Sequence, residues 1–195
     1  MIRRLPILPT IIVVLAAATM AALGIWQLQR AEEKAQLKAY YAQAAQSDAV
    51  VPFPLTAEAE KTALYRQSEV ACRQVLSTGA AGARNADGVQ GWGQQVRCAI
   101  PGGEADVMLG WMRAPETSTW DGGTVRGTIA PAGRTVRLVA DPPQAGLDAL
   151  AQPDPAAIPD NHLAYAGQWF FFAVTALIIY FLAVRRRLAS AQDGE

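Results

Sequence analysis

LPILPTIIVVLAAATMAALGIWQL, residues 5–28, and LAYAGQWFFFAVTALIIYFLAV, residues 163–184, each run without a single charged side chain. A bilayer core takes about 20 apolar residues as a helix, so each stretch is long enough to cross one. Two spans this close to the chain ends leave residues 29–160 as a domain between them. The fold class expected is a membrane α+β protein, with two transmembrane helices bracketing a small, mostly antiparallel β domain. A cleavable signal peptide is the rival reading of the first stretch, because Arg3 and Arg4 form a basic start and residues 16–22 are rich in alanine. Against it, apolar sequence continues to Trp26 and a second span exists to pair with the first.

Charge orients the layout. Arg3 and Arg4 precede the first span, and Arg185, Arg186 and Arg187 follow the second. The positive-inside rule keeps both termini, including the tail 185–195, in the cytoplasm. The expected location is the inner membrane of a bacterium, with the central domain in the periplasm; a mitochondrial protein would place that domain in the intermembrane space. Lys plus Arg and Asp plus Glu number 17 each. That zero balance divides into eleven basic and fifteen acidic residues over 31–161, and six basic and two acidic at the ends. Membrane lipid is therefore the expected contact, and nucleic acid is not, because binding its phosphates needs a basic surplus. Two cysteines and one histidine fall short of a four-ligand zinc site and exclude any two-histidine mechanism.

The middle changes period along its length. Residues 29–46 are strong helix formers and extend the first helix beyond the bilayer, with Pro52 and Pro54 expected to end it. Short strands follow, five or so. Val70, Cys72 and Leu76 share one parity, as do Val96, Cys98 and Ile100. Residues 106–112 read as a central strand, and Val125, Ile129, Val136 and Leu138 continue the alternation. Gly88, Gly91 and Gly93 read as a hairpin turn and not as a phosphate cradle. Residues 141–160 hold five prolines and read as an ordered or semi-rigid linker. Cys72 and Cys98, both on apolar parity in an exported domain, point to a disulfide; two buried thiols and a Cu(I) site are the other readings.

His162 stands at the mouth of the second span. On a helix it shares a face with Tyr165, Ala166 and Trp169. Because the two spans run antiparallel, Trp26 and Gln27 come to similar depth. Imidazole, amide and aromatic rings so gathered suit a flat apolar cofactor with His162 as axial metal ligand. The same residues also fit a plain interfacial aromatic belt with a capping histidine. A triad of Asp160, His162 and one of Ser68, Ser77 or Ser118 lacks a nucleophile elbow, so no enzyme is expected.

LGIWQLQR at 23–30 with Lys34, and NHLAYA at 161–166 continuing through Trp169 and Phe170, resemble the two end signatures of the surfeit locus protein 1 family. Gly110, Trp111 and Pro115 resemble its middle motif. The resemblance covers the layout of span, outer domain and span. It implies an assembly factor for haem-copper cytochrome c oxidase, working as a chaperone that delivers haem a to the catalytic subunit, with the haem held by the histidine matching His162. The partners implied are that subunit and haem a synthase. The alternative reading is a membrane tether that stabilises an oxidase assembly intermediate and binds no haem.

Overall fold

A computed structural model describes residues 6–190. Arg3, Arg4 and Leu5, and residues 191–195 of the tail, lie outside the described residues. The chain divides into two compact units. A helical unit comprises the residues up to Leu37 and those from Pro159 on, and a β unit comprises Lys38–Ile158.

Helix α1 runs Ile7–Ala45 and helix α3 runs His162–Ser190. Both are long and apolar enough to cross a membrane, and their large apolar side chains, among them Leu8, Ile12, Leu15, Phe171 and Ile179, point outward. A helix satisfies its own backbone groups, which lets such a surface face lipid. The faces that are buried carry small residues instead: Ala17, Gly24 and Ala31 on α1, and Ala166 and Ala173 on α3. Small side chains let two helix backbones approach closely. Beyond the apolar run, α1 continues on helix formers with Glu32–Gln36 and Arg30–Glu33 side-chain pairs at 3.1 and 2.6 Å. Its end is not set by Pro52 and Pro54. The helix stops at Ala45 in a turn where Gln46 N–H and Ser47 N–H bond the Gln43 and Ala44 carbonyls. Ser47 then accepts the Ala49 N–H, a local bond that competes with helix continuation.

The β unit holds one seven-stranded sheet in the order β1-β2-β6-β7-β5-β4-β3. Its strands are β1 (Val51–Pro52), β2 (Gln67–Cys72), β3 (Gln74–Arg84), β4 (Gln90–Ile100), β5 (Gly103–Met112), β6 (Gly123–Ala132) and β7 (Thr135–Ala140). A short helix α2, Ala57–Ala63, is capped by the Thr56 hydroxyl. The sheet is mostly antiparallel, as expected, but mixed: β1 lies parallel to β2, and β5 parallel to β7. One face buries Val70, Val96, Val107, Leu109, Val125, Ile129 and Leu138. Gln94, fully buried on β4, clamps the loop after β5 at two points. Its amide donates to the Ser118 carbonyl at 2.6 Å and its oxygen accepts the Ser118 N–H at 2.8 Å.

Three sequence expectations are corrected here. The stretch 68–77 is two strands and not one: β2 ends at Cys72, β3 begins at Gln74, and a register shift falls between Val75 and Ser77. An extra residue at such a bulge resets the alternation, so Val75 packs on the core and Leu76 is 44% exposed. Gly91 and Gly93 are strand residues, because the turn lies earlier, where Asn85 Oδ1 accepts the N–H groups of Asp87 and Val89. Gly91 is needed for close approach: a Cβ there would stand 2.6 Å from the Trp111 indole. Residues 141–158 are ordered, but they are part of the β unit more than a linker. Gln144 N–H bonds the Leu109 carbonyl, Asp148 and Trp111 exchange both backbone bonds, and Leu150 is buried.

Sheet order separates β2 from β4 by three strands, yet the Arg73 N–H donates to the Ala99 carbonyl at 3.0 Å. The sheet therefore curls until its β2 end meets β4. At that seam Cys72 and Cys98 are joined by a disulfide with Cα atoms 5.2 Å apart.

Candidate functional site

The start of α3 places His162. Asn161 supplies the carbonyl for the Tyr165 N–H at 3.1 Å, and Asp160 Oδ1 accepts the His162 backbone N–H at 3.4 Å. This side-chain acceptor satisfies a donor that the first turn leaves open. His162 then falls one helical turn before Ala166, which is almost completely buried. The imidazole thereby lies on the face that α3 buries, at its N-terminal end.

Helix α1 places the partner. On α1, Gln27 stands between buried Gly24 and Ala31 on one face. Gly24 is packed against the Phe170 ring, where a Cβ would come within 2.7 Å. That close approach brings the two helices together one turn from Gln27. The result is a direct contact between side chains far apart in sequence: His162 Nδ1 lies 2.8 Å from Gln27 Oε1. Both residues are half-buried. No described residue bonds the other ring nitrogen, Nε2.

The aromatic residues surround this pair unequally. Trp169 is half-buried on the same α3 face and meets Phe172 edge-on at 6.3 Å. Tyr165 and Trp26 are about half exposed. The Trp26 ring lies 5.8 Å beneath the Arg30 guanidinium, a cation–π contact. Gln27 and His162 are thus in direct contact, and Trp169 follows along the same face. Trp26 and Tyr165 offer their rings outward. Phe170 is the packing residue that the sequence did not single out as such; a lone glycine in an apolar span was its only signal.

Chemically, the pair offers one imidazole nitrogen beside apolar and aromatic surface. No cluster of three or more His, Cys, Asp or Glu side chains occurs among the described residues. His162 is the residue of the pair that could ligate a metal, through one ring nitrogen. The serine readings fare differently. The Ser68 hydroxyl donates to the Val51 carbonyl at 2.8 Å, and Asp160 reaches the backbone of His162 and not a ring nitrogen in the bond described. The middle motif serves packing: Gly110 lies under Leu147, and Trp111 is buried over Gly91.

A family model described as the SURF1 family matches residues 14–174, which takes in most of α1, the whole β unit and the first part of α3. No curated protein matches the chain.

Proposed function

The chain belongs to the SURF1 family, whose members are assembly factors for cytochrome c oxidase, and from that premise we propose that it carries haem a to the catalytic subunit of the oxidase. The observation that supports this reading is the His162–Gln27 contact, which engages Nδ1 of an imidazole on the α3 face that also carries Trp169. Haem a is cargo here, received from haem a synthase and passed on. His162 would hold the haem iron through a ring nitrogen. Trp26, Tyr165 and Trp169 supply flat apolar area at small entropic loss.

The orientation is part of the same proposal. Arg185, Arg186 and Arg187 follow the apolar part of α3, which puts that end in the cytoplasm. The β unit then works in the periplasm, where a disulfide persists. A reporter active only in the periplasm should work when fused within 80–130 and fail at residue 195; activity at residue 195 reverses the topology.

The deciding experiment is an absorbance spectrum of the full chain purified in mild detergent after co-expression with the enzymes of haem a synthesis. The wild type should show a Soret band. His162→Ala should lose most of it while still fractionating with membranes, and Trp169→Ala should weaken it less. Full haem content in His162→Ala sinks the ligand assignment. A wild type that never carries haem leaves the haem-free tether as the better account.

A further inference from the structure

His162 touches Gln27 through Nδ1, which leaves Nε2 as the ring nitrogen for a metal. We infer that Gln27 is a positioning residue: it holds His162 as the Nδ1-protonated tautomer, which keeps the lone pair on Nε2. The use of that lone pair rests on the haem reading above; the tautomer itself does not.

The chemistry is short. Neutral imidazole has one N–H and one lone pair. In water the free side chain favours the N–H on Nε2, the tautomer that cannot bind a metal through that nitrogen. An amide oxygen only accepts. Gln27 Oε1 at 2.8 Å from Nδ1 therefore requires the proton on Nδ1 and leaves Nε2 bare. Histidines that bind metals commonly make such a bond through the other ring nitrogen, which fixes both tautomer and ring orientation. Here the acceptor comes from the other helix. Asp160, the nearest acid in sequence, bonds the His162 backbone N–H. The packing of Gly24 against Phe170 sets the helix spacing at which Gln27 reaches the ring. The opposite arrangement, with the Gln27 amide rotated so that its NH₂ donates to a bare Nδ1, would put the proton on Nε2. The two arrangements are distinguishable.

The chain has a single histidine, so ¹⁵N-histidine labelling lights up one ring. In the haem-free full chain in detergent micelles, long-range ¹H–¹⁵N correlations tell which ring nitrogen is protonated. The wild type should show a protonated Nδ1 and a bare Nε2. Gln27→Met removes the acceptor and should shift the tautomer ratio roughly 3- to 10-fold toward Nε2–H. Gln27→Glu keeps an acceptor and should restore the wild-type pattern. Haem a titrated into the same variants should bind roughly 10-fold or more weakly to Gln27→Met and not to Gln27→Glu. Circular dichroism melting checks that each variant is folded. A wild type dominated by Nε2–H, or a ratio unmoved in Gln27→Met, overturns the positioning role. Because the tautomer is read without haem, failure of the wild type to take up haem overturns the functional proposal alone.

Discussion

Reducing the Cys72–Cys98 bond is the perturbation with the clearest magnitude in the β unit. The bridged residues are 26 apart in sequence. The chain-entropy relation for a loop of that length gives about 3.5 kcal/mol at 25 °C. The native site adds a reason for this bond to matter. β2 and β4 are not neighbours in the sheet, and beyond the disulfide the seam is tied by the backbone bond from Arg73 to Ala99 and by the pairing of Gln74, at the start of β3, with Ala99. Without the disulfide, the β2 end can peel from β4 and expose Val70 and Val96, both buried now. The assay is urea unfolding of the full chain in detergent, oxidised against reduced. Trp92, Trp111 and Trp120 report from the β unit. With a slope of about 1–3 kcal/mol per molar urea, the midpoint should fall by about 1.2–3.5 M. Midpoints that agree within experimental scatter would refute the reasoning, as would two alkylatable thiols in freshly purified protein.

Three further outcomes are expected. Gly24→Val should push Phe170 off its seat and destabilise the helix pair by about 1–3 kcal/mol, with Phe170→Ala partly restoring it; additive effects in that cycle would show that the two residues do not touch. Gly91→Ala drives a methyl into the Trp111 ring and should lower the thermal midpoint of the β unit, by an amount that Trp111→Leu reduces; an unchanged midpoint in Gly91→Ala would mean that the indole has room to move. Burial first, then Tyr41 and Asp154, raise the Tyr65 hydroxyl above its ordinary value of 10.0. A folded pKa above the unfolded one keeps its stabilisation intact below about pH 10 and loses it as pH climbs through the folded value. Tyr65→Phe should therefore flatten the alkaline fall in stability, and an equally steep fall in the variant would count against that cause.

Some of the molecule was legible because its signals are local. Val96 and Cys98 alternate with Gln95 and Arg97, and they are buried as that alternation predicts. Residues 106–112 read as a central strand because their apolar run is nearly unbroken; β5 lies between β4 and β7 and buries Val107–Met112. β3 was partly missed because Ser, Thr, Gly and Ala at 77–83 carry little strand propensity. The pairing of that segment along β4 holds it in the sheet without help from its side chains. Leu76 failed for a related reason: one residue of bulge reverses every side chain beyond it, and nothing in the neighbouring sequence announces the bulge.

At the candidate site the division falls inside single residues. Length and lack of charge were enough to define both spans, and the position of His162 at the start of the second followed from the same run. Helical spacing also put Ala166 and Trp169 on its face. Those properties depend on neighbours within two turns. Which atom meets the imidazole depends on a contact across 135 positions, and no periodicity reaches that far. Gln27 and Trp26 are adjacent in sequence and equally near the end of their span, yet a helix turns adjacent side chains about 100° apart. Packing of Gly24 against Phe170 chose Gln27 for the ring and left Trp26 facing outward. The mixed strand order and the curl that joins Cys72 to Cys98 were decided in the same way, by long-range pairing among segments whose local patterns would have permitted several partners.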